Sequence, residues 1–243
     1  MPSDPSTYHD DRFKEFLESP PELHTWDHGE TWNTGGFLGP DLSWLLDLCR
    51  EFSHPRIAET GAGCSTLLFL FTDPSVVRSV APDRQLRDRI LEYARRMKLS
   101  TRPLHYSVGS SEDVLPKWSR KYAFDVTLID GGHGWPLPMV DFCYMNRMLE
   151  PGGIMVIDDV HLYSVGELAR FLTRQPGWKV VGCAPNRRTI ALRKMTSTDS
   201  ISDWTDQPYI VERSANQRFG FAHYDLGVDL SGFHPSSVYG DPD

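Results

Sequence analysis

From Arg56 to Lys194 the chain alternates between short apolar runs and longer stretches in which charges separate apolar residues at helical spacing. "RIAE" (Arg56 to Glu59), "SVVRSVAP", "PLHYSVG", "FDVTLID" and "IMVIDD" predict five strands, the fourth almost wholly apolar, as a parallel strand covered on both faces should be. Between them, "STLLFLF" after a glycine turn, "RQLRDRILEYARRMKL", "SEDVLPKW" and "MVDFCYMNRMLE" predict helices. The second of these places Leu86, Ile90, Tyr93 and Met97 on one face. "SVGELARFLTRQ" predicts a last helix, and "WKVVGCA" and "RTIALRK" around the turn "PNR" predict a closing hairpin. The order implies an α/β fold: a doubly wound sheet of seven strands, mostly parallel, with an antiparallel edge hairpin.

The ends follow no such period. Residues 1–40, which include "HTWDHGETWNTGGFLGP", read either as a linker or as a lid and substrate segment over the sheet; 41–195 form the core; 196–243 form a partly irregular C-terminal extension. A chain of 243 residues with 40% hydrophobic content buries one sizeable core. A net charge of −8 argues against a general nucleic-acid binder, and no apolar run is long enough to span a membrane. The acidic, polar start is unlike a secretory signal. Cys49, Cys64, Cys143 and Cys183 form no CxxC pair, so a reducing cytoplasm is the expected location and neither zinc nor a disulfide framework is indicated. A homo-oligomer is left open.

In an open parallel sheet the ligand crevice lies at the carboxyl ends of the strands, near the switch in strand order. Glu59, Asp130, Asp158 and Asp159 end the first, fourth and fifth strands. In "ETGAGCST", Gly61 and Gly63 let backbone approach a ligand, and Ser65 or Thr66 stands near the helix N-cap. Thr66 occupies the position where a dinucleotide fingerprint needs its third glycine, which disfavours a nicotinamide cofactor.

"AETGAGCSTL", "GSSEDVLP", "FDVTLIDGGHGWPLPMVDF" and "LEPGGIMVIDDV" together resemble the successive motifs of class I S-adenosylmethionine-dependent methyltransferases, over roughly Pro55 to Lys194. They most resemble the metal-dependent sugar and macrolide O-methyltransferase branch, with catechol and caffeoyl-CoA O-methyltransferases more distant. The resemblance implies a Rossmann-like fold, S-adenosylmethionine as cofactor and a small hydroxylated acceptor. It implies a divalent ion, Mg²⁺ or another, on Asp130, Asp158 and Asp159, the last two following Asp130 after 28 residues. It also implies His133 as the base. Three converging carboxylates would suit a hard dication, and a neutral imidazole suits proton uptake near neutral pH. The cofactor would lie on Glu59, Gly61, Gly63, Ser65 and Asp130. The sequence departs from the family where Ala81 replaces the acidic residue for the ribose, leaving Asp83 to serve. It departs again where Ser110 and Ser111 stand at the adenine-side position, and where Gly132 replaces an acidic residue. Metal-independent N- or O-methylation, and a methyltransferase-like binding protein without turnover, are the alternatives.

Overall fold

The computed structural model describes residues 5–25, 31, 32, 37, 39–118, 122–197 and 207–209. Most of the C-terminal extension, and Trp26 in the proposed lid, therefore lie outside the described residues. The chain divides into a unit of residues 1–202, which holds every element below, and a second of residues 203–243. In chain order the elements are α1 (Pro5–Glu18), β1 (His24–Thr25), β2 (Thr31–Trp32), α2 (Gly39–Cys49), β3 (Arg56–Thr60), α3 (Cys64–Leu70), β4 (Val76–Ala81), α4 (Arg84–Arg96), β5 (Leu104–Val108) and α5 (Ser111–Val114). After a 3₁₀ turn follow β6 (Phe124–Ile129), α6 (Leu137–Met148), β7 (Leu149–Ile157), α7 (Tyr163–Leu172), β8 (Trp178–Cys183) and β9 (Ile190–Lys194).

The main sheet has seven strands in the order β5-β4-β3-β6-β7-β9-β8, with β5, β4, β3, β6 and β7 parallel and β9 antiparallel to both β7 and β8. This is the Rossmann-like architecture expected from the sequence. The chain runs from β3 outward to β5, then crosses back to β6 on the other side of β3, so the order reverses between β3 and β6. A crevice opens at that reversal, beyond the carboxyl ends of the strands.

Two helices precede the first predicted strand. In α1, Phe13 and Phe16 meet Phe71, at ring-centroid separations of 5.3 and 5.5 Å, and Phe16 is fully buried. Arg12 donates to the carbonyls of Met97 and Lys98, closing the end of α4. The helix α2 buries Leu42, Leu45, Leu46, Leu48 and Cys49 in the same core. The reading of residues 1–40 as aperiodic thus overlooked a helix that belongs to the core. A smaller difference lies in β7, which begins at Leu149, inside the stretch expected to end a helix. Its pairing with β6 shifts register between Phe124 and Val126 to accommodate "EPGG". The four cysteines are free, and no helix among the described residues is long and apolar enough to cross a membrane.

Candidate active site

The crevice has a volume of about 790 Å³, ample for a small-molecule ligand of nucleoside size. Gly61, Asp83, Ser110, Ser111, Asp130, Gly131, His133 and Asp159 line it, as do His24, His161 and Arg188. Its floor is where β3 and β6 end. Gly61 donates its N–H to Val80, and Asp130 donates its own to Thr60. Gly61 has φ +84°, and a Cβ there would lie 2.1 Å from the Asp130 carbonyl oxygen. Its glycine is thus needed first by the contact between two strand ends, and only then by any ligand above.

Glu59 is completely buried and does not line the crevice. Its carboxylate accepts from Ser65 (2.7 Å), Ser79 (2.6 Å) and Thr66, whose hydroxyl in turn accepts from the Gly63 N–H. Burial outweighs these donors and raises its pKa to about 7. Glu59 and Ser65 therefore hold the glycine turn from behind. A Cβ on Gly63 would come within 3.0 Å of His24 Nε2, which brings the start of β1 and the residue before it to the rim of the crevice. Arg89 secures that segment by donating to the Leu23 carbonyl, and it pairs with Asp83 Oδ2 at 3.0 Å. Asp83 is also the N-cap of α4, accepting from Gln85 N–H at 2.7 Å. Ser110 donates to Asp113. Behind Ser111 and Gly131, Asp141 is fully buried, and burial raises its pKa against the hydroxyls of Ser111 and Thr60, which lower it.

Of the residues expected at the chemistry, the structure brings together Asp130, His133 and Asp159. His133 Nε2 lies 3.8 Å from Asp130 Oδ1 and 3.5 Å from Asp159 Oδ2, buried and without a hydrogen-bond partner. His161 Nδ1 lies 3.6 Å from the other oxygen of Asp159. Backbone geometry makes this possible. Asp159 sits at φ 55°, left-handed for a non-glycine residue, its carbonyl accepting from Leu162, while Ser164 donates to the His133 carbonyl and ties the two loops. Asp158 goes the other way: it is buried, accepts from Thr189 through Oδ1, and lines no part of the crevice. Asp158 is the one expected metal ligand outside the cluster in which the others meet, and its Oδ2 is buried without a hydrogen-bond partner. One ligand atom each from Asp130, His133 and Asp159 lie within 4.8 Å of one another.

Asp130 is pushed upward in pKa by burial, then by the neighbouring carboxylates, against the imidazole of His133. His133 is raised by Asp130 first, with Asp159 and Asp158 adding, against the burial that lowers it. His24 is lowered, chiefly by burial. Sequence reasoning missed His24, His161, Arg188 and Asp141. For His161 a signal existed, two residues beyond the acidic pair.

A reversed strand order, a glycine-bearing turn after β3 and a crevice at the strand ends with an imidazole on its lining are features of a doubly wound fold that binds a ligand at its switch point. A model of the methyltransferase domain family matches residues 21–160, more than half the chain. Similar folds include the O-methyltransferase TomG from Streptomyces achromogenes, involved in tomaymycin synthesis and in complex with SAM, at 16% identity, 80% and 91% of the two chains and TM-score 0.56. An O-methyltransferase from Bacillus cereus in complex with SAH is similar at 14% identity, 80% and 93% coverage and TM-score 0.54. A methyltransferase from Geobacter sulfurreducens is similar at 11% identity, 81% and 91% coverage and TM-score 0.52. No curated protein matches in sequence. The chain belongs to the methyltransferase domain family.

Proposed function

We propose that this chain transfers the methyl group of S-adenosylmethionine to a hydroxyl of a small molecule, with His133 taking the hydroxyl proton. The observation that carries this reading is the buried, unpartnered Nε2 of His133 beside two carboxylates at the mouth of the crevice. Bound S-adenosylmethionine would supply the methyl carbon, with its sulfur as the leaving group, and Nε2 of His133 would take the proton of the acceptor hydroxyl. Asp130 and Asp159 stabilise the imidazolium that results. Gly61, Ser110 and Ser111 bound the cofactor's space, and Asp83 keeps acceptor capacity for ribose hydroxyls beside its bonds to Gln85 and Arg89. Glu59 and Ser65 shape the turn. Trp135 and Tyr163, both largely exposed and each two residues beyond a crevice histidine, offer apolar surface for the acceptor. The O-methyltransferases of similar fold support oxygen as the methylated atom.

A metal-assisted transfer is favoured by the clustering of Asp130, His133 and Asp159, but an ion there would occupy the nitrogen that takes the proton. The test uses methyl-tritiated S-adenosylmethionine with a panel of small hydroxylated and amino compounds, in the presence and absence of chelator. The expected product is a methyl ether. His133→Ala should lower turnover roughly 10²–10⁴-fold while leaving affinity for S-adenosylhomocysteine unchanged. An N-methylated product, or a His133→Ala enzyme as fast as the wild type, would contradict the reading.

A further inference from the structure

Arg188 is a charge in the crevice with no task in methyl transfer itself. Asp83, Glu112, Asp130 and Asp159 line the crevice, and among its described lining residues Arg188 alone is an arginine or lysine. Three of those carboxylates face a partner of their own: Asp83 pairs with Arg89, and Asp130 and Asp159 flank His133. The guanidinium of Arg188 makes no hydrogen bond or ion pair with a described residue. Its backbone, by contrast, is held firmly in the turn between β8 and β9. The Arg188 N–H donates to Asn186 Oδ1 at 2.7 Å, and the Arg188 carbonyl accepts from Val160 at 2.8 Å. Asn186 N–H donates to Asp41 Oδ1 at 2.9 Å, and the Thr189 hydroxyl donates to Asp158. A fixed attachment leaves only the side chain to be ordered when a ligand arrives.

The strand order gives this position a meaning. Gly61 follows β3, Asp83 follows β4, and Ser110 and Ser111 follow β5, so the residues that bound the cofactor's space lie on one half of the sheet. His133 follows β6, and Asp159 and His161 follow β7. Because β9 is antiparallel to β7, with Ile190 opposite Ile157, Arg188 stands at the carboxyl end of β7. Neighbouring strands lie about 4.8 Å apart, which puts the start of β9 about 14 Å from the end of β3 and about 10 Å from the end of β6. Arg188 is thus on the far side of the base from the cofactor, the side left for the acceptor. A guanidinium offers its N–H groups there as a planar fork that matches a carboxylate or a phosphate.

We propose that Arg188 binds an oxyanion of the methyl acceptor, so that the acceptor is a small hydroxylated acid, its hydroxyl at His133 and its carboxylate or phosphate on the guanidinium. The proposal deepens the methyl-transfer reading and rests on it for the identity of the ligand as an acceptor.

The experiment titrates the full chain, with and without saturating S-adenosylhomocysteine, with benzoate, phenyl phosphate and neutral benzamide, read by ligand-observed NMR. The aromatic ring suits the exposed Trp135 and Tyr163. At least one of the two anions should bind ~10-fold or more tightly than benzamide, and the tighter of them distinguishes a carboxylate from a phosphate acceptor. Arg188→Leu should remove that preference, and Arg188→Lys, which keeps the charge without the fork, should retain part of it. Arg187→Leu removes the same charge from the neighbouring exposed residue, outside the crevice lining, and should change anion binding less than ~2-fold. Affinity for S-adenosylhomocysteine should be the same in Arg188→Leu as in the wild type. A ~10-fold loss there would put the guanidinium on the cofactor's own carboxylate and overturn the proposal. Anions that bind no better than benzamide, or a preference that survives Arg188→Leu or vanishes equally in Arg187→Leu, would overturn it too, and intact S-adenosylhomocysteine binding would then leave the methyl-transfer reading in place. Arg188-dependent anion binding by a chain that binds no S-adenosylhomocysteine would contradict the methyl-transfer reading instead.

Discussion

A side chain at position 61 has no room: at φ +84° its Cβ would press to 2.1 Å from the Asp130 carbonyl, and backbone cannot swing aside as a flexible side chain can. Gly61→Ala should therefore cost about 2–4 kcal/mol in urea unfolding. Gly63→Ala, at φ +159°, is strained by its backbone conformation but meets only the movable ring of His24, at 3.0 Å, and should cost less. Equal costs would show that strand contact is not what fixes Gly61. At His133 the prediction concerns charge. Because the carboxylates, Asp130 first, raise its pKa above the ordinary 6.5, the ring stays protonated to higher pH than a free histidine and becomes a competent base only above that raised value. Imidazole NMR titration with chelator present should show this midpoint above 6.5. Asp130→Asn should lower it most, and Asp159→Asn less. A midpoint at or below 6.5 would mean that solvent screens the carboxylates.

At the scale of elements, Glu59 joins β3 to α3 and β4 through three hydroxyls, so its ionisation acts on the fold. Its folded pKa of about 7 lies above the ordinary value of 4.5, so its contribution is fully present below the unfolded pKa and is lost as pH rises through the folded one. Between about pH 5 and pH 8 the wild type should lose up to about 3 kcal/mol relative to Glu59→Gln, read from urea midpoints of both proteins. A pH-independent difference would place the ionised carboxylate comfortably among its donors. The segment before β1 offers a second test. Arg89 holds both Leu23 and Asp83, so Arg89→Ala should speed proteolysis between residues 20 and 25 and weaken S-adenosylhomocysteine ~3–10-fold. Unchanged cleavage and affinity would show the segment is anchored elsewhere.

At the scale of the whole molecule, seven strands in a mostly parallel sheet were legible because buried parallel strands read as apolar runs and the helices between them carry charges on one face. The site was legible as far as strand ends could take it: Asp130, Asp159 and Gly61 reach the crevice by position in the fold. What the sequence could not show was decided by contacts between distant segments. The helix α1 is rich in polar residues, and Phe16 becomes a core residue against Phe71 and Tyr93. Asp158 and Asp159 are adjacent in sequence, yet Thr189 on β9's approach draws one inward while a left-handed turn sends the other to the crevice. The central claim joins these scales: one crevice holds the cofactor so that its methyl group meets His133. A crystal structure with S-adenosylhomocysteine tests it most directly. The account predicts adenine beside Ser110 and Ser111, sulfur between Gly61 and His133 with open space next to Nε2, and Asp158 still on Thr189. A cofactor lying outside this crevice, or one whose sulfur points away from His133, would contradict it.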